Sequence, residues 1–225
     1  PVKILLMMVI RANSLAKGVS GARPELVDLL LSMVNSRIAP IVPRIGSLGA
    51  SGDLAPLSHM ALGLIGEGEC TRFNDGEWSV IDSMTALTDA GLRPVKLQAK
   101  EGLSLINGTS QMCAYLTKTV LNMETLCLVA DASVACSLEA ISGSHKPFDK
   151  RIHQSRPQVG QSLSAARINE LLKDSMIMLS HIDCDRVQDS YSFRCSPQVH
   201  GPVIELLREI RRTLEIEINS ATDNP

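Results

Sequence analysis

The sequence predicts a mainly α fold, a bundle of long helices with at most a small β-hairpin. Three observations carry that expectation. From Ser110 to Ile141 apolar residues recur at helical spacing with neither proline nor glycine, which predicts a helix far longer than the globular average. Aromatic residues make up only 3% of the chain, so the core must come from Leu, Ile, Val, Met and Ala, a composition suited to packed helices. The one clear β signal is Asn74-Asp75-Gly76, a turn between two short segments running from Cys70 to Ile81.

In chain order, Val2 to Leu15 reads as the first helix, with Lys17-Gly18 as its stop. Pro24 suits the first turn of the next, Glu25 and Asp28 complement its positive end, and Leu26, Leu29, Leu30, Met33 and Val34 form one apolar face. Pro40 and Pro43 end it. The stretch Gly46 to Gly52 has almost no side-chain bulk and must be a loop, after which Pro56 can open a helix continuing to about Ile65. Beyond the long helix, prolines and glycines from Pro147 to Gly160 mark a connection, followed by helices near Ala165 to Leu172 and from Val203 to Ile218. No repeat or low-complexity tract interrupts this order, and residues 1–225 read as a single partial domain.

At 225 residues and 44% hydrophobic content the chain can bury a sizeable core. Lys and Arg number 22 against 24 Asp and Glu, so a net charge of -2 gives no electrostatic reason to expect nucleic acid or an anionic membrane. The longest apolar runs, Ile4 to Ile10 and Leu126 to Ala130, fall short of a bilayer span, so no transmembrane segment is expected. Six cysteines without a CxxC pair fit a reducing cytoplasm. The start, without an initiator Met, reads like the middle of a helix, and Ser220 to Pro225 stop at a turn signal; both suggest a fragment of a longer chain.

The string Gly46-Ser-Leu-Gly-Ala-Ser-Gly-Asp-Leu-Ala-Pro-Leu57 has two readings. One is a flexible loop capping the helix that follows. The other is a self-modifying segment: a small residue, a serine and a glycine in sequence let the Gly52 nitrogen close on the Ala50 carbonyl carbon in a five-membered ring. Loss of water from that ring and from Ser51 then leaves an exocyclic methylidene, a carbon electrophile that no unmodified side chain provides. Asp53 is placed to handle protons during cyclisation.

Here the sequence resembles a known family. Ala50-Ser-Gly-Asp-Leu-Ala-Pro-Leu57 is similar to the signature of the aromatic amino-acid ammonia-lyases and related aminomutases, whose prosthetic group is methylidene-imidazolone (MIO). Glu101-Gly-Leu-Ser-Leu-Ile-Asn-Gly-Thr109 resembles a second family signature, Gln188-Asp-Ser-Tyr-Ser-Phe-Arg-Cys-Ser-Pro-Gln198 a third, and Asn219 to Pro225 a further segment. The resemblance covers essentially the whole chain and the family's middle portion. It implies a bundle of the ammonia-lyase/fumarase-like type, an MIO formed autocatalytically from Ala50, Ser51 and Gly52 with no external cofactor, a small amino-acid substrate, and a homotetramer whose active sites draw on several subunits.

By the same resemblance Asn107 is an active-site amide able to hold the MIO carbonyl oxygen or the substrate, although an Asn-Gly-Thr turn also reads as a simple helix stop. Gln188 and Tyr191 match further active-site positions, Tyr191 as a phenol that relays or orients a proton. Arg194 continues their three-residue spacing, and its guanidinium suits an amino-acid carboxylate, although a lone arginine equally makes surface salt bridges. Among the histidines, His181-x-x-Cys184 is only half of a zinc site, so no metal is expected, and His59 reads as a packing residue.

The resemblance favours histidine as substrate and trans-urocanate as product, because Ser180 to Cys195 and Phe148 to Pro157 are similar to histidine-type segments. Cys195 stands where phenylalanine-type members usually carry threonine. Val159, where the family commonly has proline, departs from the pattern. The competing readings are a phenylalanine or tyrosine ammonia-lyase, an aminomutase, and a non-catalytic helical assembly protein that keeps the loop for packing. No residue here matches the tyrosine base that precedes this region in the family, so the isolated chain is expected to have little or no lyase activity.

Overall fold

A computed structural model describes residues 1–49 and 51–223; Ala50, Asn224 and Pro225 lie outside the described residues. The chain divides into two compact units, Pro1–Lys118 with Thr213–Pro225, and Thr119–Arg212.

In the first unit, α1 (Val2–Leu15) and α2 (Pro24–Asn35) pack together and bury Met7, Met8, Ile10 and Leu15 against Leu26, Leu29, Leu30 and Met33. α1 matches its expected bounds; α2 starts at Pro24 as expected but ends at Asn35, short of the expected stop at Pro40, because residues 38–40 are taken into a strand. The hairpin also forms: β2 (Glu69–Asn74) and β3 (Glu77–Asp82) pair antiparallel from Glu69↔Asp82 to Asn74↔Glu77. Asp75 and Gly76 both take positive φ, 50° and 90°, as a two-residue hairpin turn requires. A third strand was not expected. β1 (Ile38–Pro40) pairs antiparallel with β2 and is wholly buried, but three residues ending in proline carry no readable alternation. α3 (Leu54–Leu64) lies against it at Gly63, where a Cβ would stand 2.6 Å from Pro40 Cγ.

Two short helices complete this unit. α4 (Ser83–Asp89) is capped by Asp82, whose side chain accepts the Thr85 N–H. α5 (Glu101–Ile106) opens on a buried glutamate gripped at both oxygens by Arg23, Nε to Oε1 at 2.7 Å and Nη2 to Oε2 at 2.9 Å. Glu101 therefore fixes the start of the second signature to the loop before α2.

The long helix α6 (Ser110–Ala140) matches its expected extent to one residue, and its course passes from the first unit into the second. By length and composition it is apolar enough to cross a membrane, which the run lengths alone did not suggest. Yet Asp131 within it is buried and accepts hydrogen bonds from Ser164 Oγ at 2.5 Å and from His200 Nδ1 at 2.8 Å, so at that position the helix packs against protein.

The second unit also holds α7 (Lys150–Gln154), α8 (Val159–Leu171), α9 (Met176–Ser180), α10 (Tyr191–Arg194) and most of α11 (Ser196–Ile218). Ala135, Leu138, Phe148, Ile168, Leu172 and Met178 form its main core. α8 and α11 both begin earlier than the sequence suggests, by six and seven residues. Gly160, read as the end of a connection, and Gly201 are instead where the two helices touch, since a Cβ on either would collide with the other helix's backbone. Glu205 then accepts the free Gly160 N–H at 2.8 Å, and Pro202 is carried inside α11.

Candidate active site

The first unit brings three of the four signature segments together. Gly52 and Gly108 form a parallel bridge, and the Asp53 N–H donates to the Gly108 carbonyl at 2.7 Å. Gly52 has a φ of +94°, and a Cβ there would stand 2.5 Å from the Gly108 oxygen, so only glycine fits. Ser51 precedes it on the surface, with Ala50 outside the described residues.

Asp53 is fully buried and occupied. Its Oδ2 accepts the main-chain N–H groups of Gln111 at 2.8 Å and Met112 at 2.9 Å, and its Oδ1 accepts the Ser47 hydroxyl at 3.1 Å. Those two amides belong to the first turn of α6, so Asp53 serves as a cap brought from a distant loop. The carboxylate placed by sequence as a proton handler thus ties the Ser51-Gly52 segment to the end of the longest helix.

Asn107 ends α5 in extended conformation, half-buried, and Gly108 follows with a φ of +132°. Behind this turn lies a residue that the sequence reading missed. Arg11 of α1 is fully buried and donates through Nη1 to Ser104 O at 3.2 Å and through Nη2 to Asn107 O at 2.6 Å. Burial pushes its guanidinium down to about 10, against the opposing charges of Asp223 and Asp53. One signal was available: Arg11 is the only charge between Lys3 and Lys17, and it directly follows the apolar run Ile4 to Ile10.

The closing segment reaches the same place. Thr109 Oγ1 donates to Glu217 at 2.6 Å, the Thr222 N–H to Ser14 Oγ at 3.2 Å, and Ser20 Oγ to Asp223 Oδ1 at 2.7 Å.

Gln188, Tyr191 and Arg194 lie in the second unit, where they line one cleft of about 360 Å³ with Lys146, Cys195 and Gln198. Gln188 precedes α10 rather than standing on it, while Tyr191 and Arg194 sit at its two ends with the guanidinium carbon 5.2 Å from the ring centre. Arg194 Nε donates to Asp189 O at 3.0 Å. The Asp189 carboxylate is buried and accepts the Ser144 N–H at 2.6 Å and Arg186 Nη1 at 3.2 Å, which anchors the segment before α10. Asp189 and Lys146 were not singled out in the sequence. Lys146 stands 48 residues from Arg194 in the chain, so only the fold puts a second cation on this cleft.

Residues 3–225 match a family described as aromatic amino acid lyase. The chain is similar to a histidine ammonia-lyase of Stigmatella aurantiaca, with 53% identity over 98% of this chain and 42% of that protein, so it spans less than half the length of this curated relative. Among solved structures, histidine ammonia-lyase from Trypanosoma cruzi superposes with a TM-score of 0.86 at 38% identity, covering 99% of this chain and 40% of that one. Phenylalanine ammonia-lyase from Rhodosporidium toruloides gives 0.88 at 32% identity, covering 98% and 34%.

Proposed function

The chain belongs to the aromatic amino acid lyase family, and from that premise we propose that the protein containing it is a histidine ammonia-lyase, converting L-histidine to trans-urocanate and ammonia without oxidation. The observation that carries this reading is the seat of Gly52. A glycine at φ +94° with no room for a Cβ, bridged to Gly108 and followed by the anchored Asp53, fits a segment whose main chain must close on itself. The 53% identity to a histidine ammonia-lyase supports histidine over another aromatic amino acid.

Ring closure joins Gly52 N to the Ala50 carbonyl carbon; that carbonyl oxygen leaves as water with the protons of Gly52 N and Ser51 N. A second water takes the Ser51 hydroxyl and its Cα proton. The methylidene-imidazolone so formed supplies a carbon electrophile. Around it, Asp53 holds the loop, and Asn107 offers an amide that can bond the ring or the substrate without changing charge. Arg194 offers its remaining N–H groups to the substrate carboxylate, with Lys146 adding positive charge to the same cleft. Gln188 and Tyr191 supply polar atoms for orientation and proton movement. We further propose a homotetramer with sites shared between subunits, and a cytoplasmic location, which six free cysteines suit.

The test is product identity. The full-length protein should release urocanate from histidine in preference to cinnamate from phenylalanine or coumarate from tyrosine. A product that retains the amino group would show an aminomutase instead.

A further inference from the structure

We infer that Arg11 is a positioning residue for ring closure, holding the Ser104 to Gly108 turn against which Gly52 and Asp53 are set. The inference rests on the reading of residues 50–52 as a self-modifying segment.

A fully buried guanidinium is costly, and it persists where its hydrogen bonds do something that a neutral side chain cannot. Among the described residues Arg11 makes no direct ion pair. Its two terminal nitrogens go to Ser104 O and Asn107 O, carbonyls at the end of α5 that lack partners within the helix, and a cation at that end also complements the helix dipole. Its Nε has no partner among the described residues, where the bonds to these two carbonyls are its polar anchorage.

From there the contacts run in one direction. Arg11 Nη2 lies so close behind Gly108 that a Cβ there would collide with it, which leaves the Gly108 peptide no freedom to move towards α1. The carbonyl of Gly108 accepts the Asp53 N–H, and its backbone bridges Gly52, whose nitrogen must form the new bond to the Ala50 carbonyl carbon. Arg11 touches neither reacting atom. It sets the surface on which one of them is aligned, and a planar fork spanning two carbonyls does this where a single ammonium cannot.

The experiment follows ring formation directly in the full-length protein. Parent, Arg11→Lys, Arg11→Met and Leu30→Ala are folded, and the fraction of chains short of two waters is read by mass spectrometry over time, beside near-ultraviolet absorbance and melting temperature. Leu30, buried in α2, controls for lost stability alone. Arg11→Met is expected to slow ring closure about tenfold or more, since small misplacements of reacting atoms cost rates of that order. Arg11→Lys should fall between it and the parent, and Leu30→Ala should close at the parental rate despite its lower melting temperature.

Parental rates in Arg11→Met, or equal slowing in Leu30→Ala, would overturn the inference. If Arg11→Met does not fold, parental closure in Arg11→Lys overturns it as well. A parent chain that never loses the two waters defeats the underlying reading of residues 50–52, a result distinct from any failure of Arg11.

Discussion

Gly52 and Gly108, in loops more than fifty residues apart in the chain, lie backbone to backbone with no space for a side chain between them. Neither loop is rigid by its own composition. Each is held from behind, the first by Asp53 on the start of α6 and the second by Arg11, so the contact is a product of the fold.

Gly108→Ala tests that contact. At φ +132° with Arg11 Nη2 and Thr222 O in the way, an added methyl strains the backbone and pushes the turn off its support. We expect a loss of about 1–3 kcal/mol in thermal unfolding and incomplete ring formation by mass. Alanine tolerated with parental stability and ring content would contradict the packing described.

The pair Arg23 and Glu101 sets a pH dependence. Hydrogen bonding from Arg23 is the main cause holding the Glu101 carboxyl down, to about 2 from an ordinary 4.5, with burial opposing and the Gln98 N–H assisting. A carboxyl with a lower pKa folded than unfolded binds fewer protons in the folded state. It therefore stabilises the fold above about 4.5, and that contribution is lost as pH falls towards about 2. Glu101→Gln should flatten the stability curve in that window, measured by denaturant titration at several pH values. Parallel curves for parent and variant would refute the assignment.

Arg194→Lys separates substrate binding from ring chemistry. The guanidinium spends its Nε on Asp189 O and stands over Tyr191, leaving a fork for a carboxylate that an ammonium cannot reproduce. The Michaelis constant should rise about tenfold, the loss of roughly one charge-assisted hydrogen bond, with ring content unchanged. An unaltered Michaelis constant would remove Arg194 from the substrate site.

Much of this fold was legible because its signals are local. α1, α2, the β2–β3 hairpin and α6 each announce themselves within their own residues, by apolar period, by Pro24 and by Asp75-Gly76. The true starts of α8 and α11 were hidden, because Gly160 looks like the end of a connection and nothing local shows that it and Gly201 are in contact. Strand β1 is too short to alternate, and its partner Thr71 lies 32 residues beyond Ala39. The candidate site divides in the same way. Ser51, Gly52, Asp53, Asn107, Gln188, Tyr191 and Arg194 stand in recognisable strings, whereas Arg11 acts on a carbonyl 96 residues away and Lys146 reaches its cleft only through the fold. Asp53 could be named from its string, but its bonds to Gln111 and Met112 could not be seen there.

The central claim is that Ala50, Ser51 and Gly52 become one ring. The most direct measurement is the mass of the peptide containing them, isolated from catalytically active full-length protein and compared with the same peptide from Ser51→Ala. The expected result is a parent peptide lighter than its sequence by two waters, with no methylidene in the variant. A parent peptide of unmodified mass, from a preparation that releases urocanate, would contradict it.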